Sequence, residues 1–263
     1  MADVKVLILR ESGTNCEEET ANAFKILGAS VRILHMNVLW RGRESIENYQ
    51  ILVIPGGFSH GDAVSAAVIW AKELKYRLKK DLVRFIEQGK LVLGICNGFQ
   101  VLVKAGLLPA FQKVIEPQSV TLAFNHIGVY FDTCVYLKPN PHNMSAFTQG
   151  LDHLLYLPVA HAEGRFATDE RTLSKLEDRN QIVFRYVDPD GRIAGFPWNP
   201  NGSLAGVAGI CNPWGNVLGL MPHPERYIHR YMHPLWTSRR FQERADGILL
   251  FKNAVDFAKR RLT

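Results

Sequence analysis

The chain has no long apolar run. No stretch approaches the about 18 consecutive apolar residues of a membrane span, and the opening MADVKVLILRESG carries an apolar run too short for a secretory signal. Cytoplasm is therefore the expected compartment. Cysteine is scarce: Cys16, Cys96, Cys134 and Cys211 lie far apart and never form C-x-x-C, which argues against a zinc ribbon or a disulfide framework. Low-complexity tracts and internal repeats are absent, and so is the G-x-x-x-x-G-K-[ST] loop that cradles nucleotide phosphates. No basic–aromatic module of a nucleic-acid binder is visible either, although the formal net charge is +6. The excess falls late, at Arg226, Arg230, Arg239, Arg240, Arg244 and the KRR at 259–261. A solvated face or an anionic partner surface suits that distribution better than nucleic acid.

What is present is an ordinary globular composition, 47% hydrophobic and 21% charged over 263 residues. That length suits one large α/β domain or two small ones. The first half alternates strand and helix signals. VKVLIL (4–9), SVRIL (30–34), ILVIP (51–55) and KLVLGI (90–95) are short, apolar and β-branched. Between them, CEEETANAFKILG carries Ala21, Phe24, Ile26 and Leu27 on one helical face with Gly28 as a C-cap, and 68–89 reads as a single helix. Nearly all-apolar strands separated by helices predict a mostly parallel central sheet with helices on both faces. The second half changes character: 121–137, 154–166 and 181–187 are strand-like and set among turn-rich DPDGR and NPNGS, which predicts an antiparallel β portion. An amphipathic helix over 247–262 closes the chain, with Ile248, Phe251, Ala254, Val255 and Ala258 sharing a face. No linker marks a boundary, so residues 1–263 are expected to form one domain.

In such sheets chemistry gathers at the carboxyl ends of strands, where PGGFSHGD (55–62) and GICNGFQ (94–100) fall. G-x-C-x-G has the layout of a nucleophile elbow, a strand turning sharply into a helix. Gly94 and Gly98 suit a turn too tight for a Cβ, and the helix N-terminus favours thiolate at Cys96. The N–H of Asn97 then points where an oxyanion would form. A buried cysteine at a tight junction fits the same motif. A thiolate nucleophile needs a base, and the base needs a group to hold its tautomer. MPHPER (221–226) supplies both: Pro224 biases His223 toward extended backbone, and alternate residues of an extended chain face the same way, so His223 and Glu225 can lie together. A chance H-x-E on a surface turn is the plain alternative. H-x-E is also two-thirds of a metal site, but no third ligand is evident and no metal is assigned. The glycines of PGGFSHGD allow backbone N–H groups near a ligand, or simply a flexible turn.

A PGG loop, a G-x-C-x-G-x-Q elbow and a late H-P-E, in that order, resemble the class I, triad-type glutamine amidotransferases. GTNCEEET at 13–20, AHAEGRF at 160–166 and NPNGSLAGVAGICNPWGNVLGLMPHPER at 199–226 are similar to the glutaminase subunits of phosphoribosylformylglycinamidine synthases, which act in purine synthesis. The resemblance covers most of the chain. It implies the flavodoxin-like class I glutaminase fold and a Cys96–His223–Glu225 triad. It also implies Gly57 and Asn97 as oxyanion donors and Gln100 as a substrate contact. The family's H-N-x-S-G-R-F stretch appears here as FNHIGVYF (124–131): Asn125 and Gly128 match, and Ile127 and Val129 replace serine and arginine. Asn125 is carried over as a candidate substrate contact on that basis. Cys16 lies in a matching stretch and is read as structural.

The resemblance further implies glutamine as substrate, no cofactor in this chain, and ATP and Mg on a partner. That partner is the large synthase subunit, with a small bridging subunit beside it. Three rival readings share parts of the same residues: a glutaminase of another synthase, a stand-alone γ-glutamyl cysteine hydrolase, and a binding module with an inert cysteine.

Overall fold

The computed structural model describes residues 3–238 and 245–263. Its centre is a nine-stranded sheet. Five strands run parallel: β1 (Lys5–Arg10), β2 (Ser30–His35), β3 (Ile51–Ile54), β4 (Leu91–Ile95) and, far along the chain, β11 (Val217–Leu220). Their spatial order is β2-β1-β3-β4-β11, the flavodoxin-like arrangement in which the chain changes direction across the sheet between β1 and β3. Every residue of β3, β4 and β11 is buried. Successive strand side chains point to opposite faces, so both faces of this half are covered, as the unbroken apolar runs require.

The sheet continues antiparallel from β11 through β10 (Val207–Cys211), β9 (Ile182–Val187), β6 (Phe131–Pro139) and β7 (Leu155–His161). A separate pair, β5 (Thr121–Phe124) with β8 (Glu163–Ala167), is also antiparallel. The 121–137 and 154–166 stretches are thus each two strands rather than one. The glycine-rich segment GVAGIC conceals β10, because glycine dilutes the apolar alternation of a strand; here a Cβ on Gly209 would stand 2.9 Å from the Gly219 carbonyl oxygen across the pair.

Helix α1 (Glu17–Ile26) carries three glutamates in its first turn, where they complement the helix dipole. Gly28, at φ +79°, takes the left-handed position just after its end. Ala21, Ala23 and Phe24 form its buried face, whereas Ile26 is exposed. Phe24 meets Phe251 of the last helix, α7 (Ile248–Arg261), edge to face at 5.0 Å. Two short helices escape the periodicity reading: α2 (Met36–Trp40), and α6 (Glu170–Asp178), whose one buried residue is Leu176.

The stretch 68–89 is two helices, α3 (Val68–Arg77) and α4 (Lys79–Glu87), broken at Leu78. Neither glycine nor proline causes the break. Its two halves pack on different partners, α3 on the helix after β4 and α4 on the turn at Ile46–Asn48, and a straight rod could not meet both. Among the late basic residues, Arg226 is turned inward onto Cys16, and Lys259, Arg260 and Arg261 complement the carboxyl end of α7; Arg239, Arg240 and Arg244 lie outside the described residues. No helix among the described residues is long and apolar enough to cross a membrane, and the four cysteines are free.

Helix α5 (Asn97–Ala105) follows β4 without a connecting loop and packs on β3, β4 and β11. Two glycines permit this. A Cβ on Gly98 would lie 1.9 Å from the Ile54 carbonyl oxygen, and one on Gly94 would lie 2.7 Å from the Gly98 carbonyl oxygen. Both contacts involve backbone and cannot relax by a rotamer change. Gly98→Ala is therefore expected to lower unfolding stability by about 2–3 kcal/mol or more, measured as a fall in the urea midpoint against the parent chain.

Candidate active site

The direct passage from β4 into α5 leaves Cys96 at φ +50°, ψ −106°, a backbone state that side chains other than glycine rarely adopt. Its N–H donates to the Leu220 carbonyl of β11 at 2.8 Å, which ties the turn to the neighbouring strand. The thiol is 3.9 Å from the Ala160 carbonyl oxygen at the end of β7. Strain held by such ties is characteristic of functional turns.

His223 and Glu225 follow β11 and stand at the same end of the sheet. The extended-chain expectation holds only as far as His223: Pro224–Arg226 is a single turn of 3₁₀ helix. The pair still meets, His223 Nδ1 lying 2.6 Å from Glu225 Oε1. A carboxylate only accepts, so Nδ1 carries the proton and Nε2 is the nitrogen left outside that bond. Both side chains are shut away from solvent, and Nε2 has no hydrogen bond of ordinary geometry among the described residues. Burial pushes the His223 imidazole down. The Glu225 carboxylate, the Cys96 sulfur and contacts with Cys16 and Cys96 outweigh it, and together hold the imidazole well above the usual histidine range. His223 thus bonds Glu225 directly and interacts electrostatically with both Cys96 and Cys16, residues far away in the chain.

A small cavity opens over Cys96, bordered by Gly57, Asp62, Gln100, His161 and Glu163. Gly57, at φ +141°, approaches the 13–15 segment so closely that a Cβ would lie 2.7 Å from the Thr14 Cα. The Asn97 N–H, first in α5, has no intrahelical acceptor. The Asn97 side chain knits the floor together: its Oδ1 accepts from the Ser59 N–H at 3.2 Å and its Nδ2 donates to Gln100 Oε1 at 2.9 Å. Gln100 Nε2 in turn donates to the Glu163 carbonyl oxygen at 2.7 Å. A larger cavity of about 680 Å³, bordered by Lys79, Glu87, Trp214 and Phe257, lies at the opposite, amino end of β4 and β11 and holds no such constellation.

The profile of the CobB/CobQ-like glutamine amidotransferase domain matches residues 3–258. The phosphoribosylformylglycinamidine synthase subunit PurQ of Dehalococcoides mccartyi is 42% identical over 260 residues, spanning 98% of this chain and 99% of its own. The PurQ subunit of Archaeoglobus fulgidus is 40% identical over 271 residues, 98% of each chain. Among solved structures, PurLQS from Thermotoga maritima superposes with a TM-score of 0.72 at 26% identity, covering 97% of this chain and 99% of the matched one. The chain belongs to the PurQ family of glutamine amidotransferase domains.

Within this PurQ-family domain, Asn125 does not border the cavity. Its Oδ1 pairs with His161 Nδ1 at 3.0 Å, and its Nδ2 donates to the His161 and Val129 carbonyl oxygens at 2.7 and 3.0 Å. It holds His161 in place, and His161 is the residue facing the cavity. Gly164 is part of the same fit, because a Cβ there would strike the His161 ring at 2.4 Å. Sequence reasoning noted AHAEGRF only as a matching stretch; its position at a strand's carboxyl end was the available signal. Cys16, expected to be structural, accepts from Arg226 Nη2 at 3.2 Å and lies with His223 and Glu225, their ligand atoms all within 4.8 Å of one another. It completes in space the third ligand that H-x-E lacks, but His223 Nδ1 is already committed to Glu225. Phe58 also borders the cavity, and the Tyr130 ring lies tilted beside it at 6.2 Å.

Burial and the nearby His223 push His161 down to about 3. The unfolded chain takes up this proton near pH 6.5 and the folded chain does not until about pH 3, so the stability contributed by neutral His161 is full above 6.5 and lost as pH falls toward 3. Denaturant titrations across that range are expected to show a parent slope steeper than that of His161→Gln by about 1.4 kcal/mol per pH unit. Parallel slopes would contradict a neutral buried His161.

Proposed function

We propose that Cys96, His223 and Glu225 hydrolyse the side-chain amide of glutamine and that the ammonia is delivered to a synthase partner. The observation that carries this reading is the buried 2.6 Å His223–Glu225 bond, set at the same sheet end as the strained Cys96. The Cys96 thiolate adds to the carboxamide carbon, and the tetrahedral oxyanion is stabilised by the N–H groups of Gly57 and Asn97, each such donor contributing about 3–4 kcal/mol. His223 passes its Nε2 proton to the departing amine, releasing ammonia and leaving a γ-glutamyl thioester on Cys96. Water, deprotonated by His223, then cleaves the thioester to glutamate and free thiol. Glu225 holds the tautomer and offsets the imidazolium charge. Gln100 and the carboxylates of Asp62 and Glu163, bordering the same cavity, complement the polar head of an amino acid.

Ammonia in neutral water is mostly protonated and unreactive, so transfer without release favours a fixed partner. Family membership and the likeness to PurLQS support the large subunit of phosphoribosylformylglycinamidine synthase as that partner, converting formylglycinamide ribonucleotide to its amidine. ATP and Mg belong on that subunit, because this sequence carries no phosphate loop, and a small bridging subunit completes the assembly. No cofactor is assigned to the glutaminase step.

Cys96→Ala in the assembled enzyme is expected to lower glutamine-dependent synthesis by about 10³-fold or more while ammonia-dependent synthesis persists. Loss of both in a folded, assembling variant would contradict this division of labour. Diazo-oxonorleucine should label Cys96; an unlabelled Cys96 in the complex would support an inert binding module, and vigorous hydrolysis by the isolated chain would favour a stand-alone hydrolase.

A further inference from the structure

A second cluster of titratable side chains lies at the carboxyl end of the sheet, near the β1/β3 switch point and distinct from the Cys96 group. Glu11 stands just past β1, His35 ends β2, His60 is in the loop after β3, and Glu73 is on α3. His60 Nε2 is 3.4 Å from Glu73 Oε2 and 3.9 Å from Glu11 Oε2, and His35 Nε2 is 3.4 Å from Glu11 Oε2. These separations are beyond good hydrogen-bond length. Glu11 Oε1, His60 Nε2 and Glu73 Oε2 are closed off from solvent without a hydrogen-bond partner among the described residues, and Glu11 as a whole is only 6% exposed. Burial pushes the Glu11 carboxyl up; His35 and the Ser12 N–H oppose it, the Glu73 carboxylate adds to it, and His60 opposes it again. Two carboxylates face one imidazole at these separations.

The ligand atoms of Glu11, His60 and Glu73 lie within 4.8 Å of one another, a spacing that one ion could draw together. Two donor atoms held at about 2.1 Å by a tetrahedral ion lie about 3.4 Å apart. The His60–Glu73 separation already matches, and the Glu11–His60 separation needs only a small closure. His35 is excluded as a ligand: its Nδ1 accepts the Asn37 N–H at 3.2 Å, so its Nε2 keeps the proton on the side that faces Glu11. An imidazole with two carboxylates favours a first-row transition ion over Mg²⁺ or Ca²⁺.

We propose that Glu11, His60 and Glu73 bind one divalent metal ion of the zinc class, clipping the 57–67 loop to β1 and α3. The clip has a use. That loop presents Gly57 to the cavity over Cys96, yet His60, Asp62, Val64 and Ala67 all lie at positive φ, costly for residues with a Cβ unless something over-determines them.

The test is a titration of the metal-free chain with Co²⁺ followed by absorption, then with Zn²⁺ followed by amide hydrogen exchange. One equivalent should saturate a site whose spectrum lacks the thiolate charge-transfer band that Cys16 or Cys96 ligation would give. His60→Ala and Glu73→Gln should each weaken it by about tenfold or more, and Zn²⁺ should slow exchange within 57–67 in the parent only. No saturable binding, a thiolate spectrum, affinity unchanged in both variants, or exchange unaltered by Zn²⁺ would overturn the proposal.

Discussion

The contact on which the site depends is between backbones: α5 lies against the end of β3 so closely that Gly98 abuts the Ile54 carbonyl. That approach removes any room for a loop between β4 and α5, and Cys96 is driven to positive φ in consequence. A looser helix would let the turn relax and swing the thiol away from the β11 end where His223 stands. The strain is held by ordinary bonds: the Cys96 N–H to Leu220, and the register of β4 with β11 from Val92 through Ile95. Core packing in the parallel half is thereby converted into a fixed position for one sulfur atom.

Electrostatics then separates two neighbouring buried histidines, His161 on the cavity's edge and His223 behind it. Both are buried, and burial pushes both down. His161 meets only amide and backbone groups besides the His223 charge, and falls to about 3. His223 faces Glu225 and the sulfur atoms of Cys96 and Cys16, and rises. Neighbouring groups whose environments push them apart are suited to divide acid–base work between them: His223 holds a proton where His161, bordering the cavity, stays neutral. The like-charge repulsion between the rings reinforces this assignment, since a proton on either disfavours one on the other.

The legible parts of the fold were those where a pattern has one physical cause. Unbroken apolar strands gave the parallel half because burial on both faces admits no alternation, and the elbow announced itself because glycine at 94 and 98 answers a steric demand. The antiparallel half was legible in kind but less so in number. The turn at 125–130 and the glycines of 206–209 divide or dilute the strand signal, and polar α6 buries too little to show a period. The break at Leu78 had no local sign because it is set by two distant packing partners. At the site, Cys96, His223 and Glu225 could be paired by chemistry alone. Asn125 could not be placed: a match to a motif does not say whether a side chain meets substrate or, as here, the histidine beside it.

Cys16 was opaque for the same reason, and its surroundings bear on how the site is tuned. It precedes α1 without a side-chain capping bond, donates its thiol to Asn15 Oδ1 at 3.1 Å and accepts from the Arg226 guanidinium, so the residue after Glu225 is drawn back onto the first helix. A Cβ on Gly56 would sit 3.2 Å from the Cys16 sulfur and 2.8 Å from the His223 ring. The glycine pair of the PGG segment therefore serves two ends: Gly57 faces the cavity over Cys96, and Gly56 leaves space for the imidazole and the second thiol to meet. The first loop, the loop after β3 and the turn after β11 are thus mutually packed around His223. A displacement of any one of them therefore bears on the position of the His223 ring.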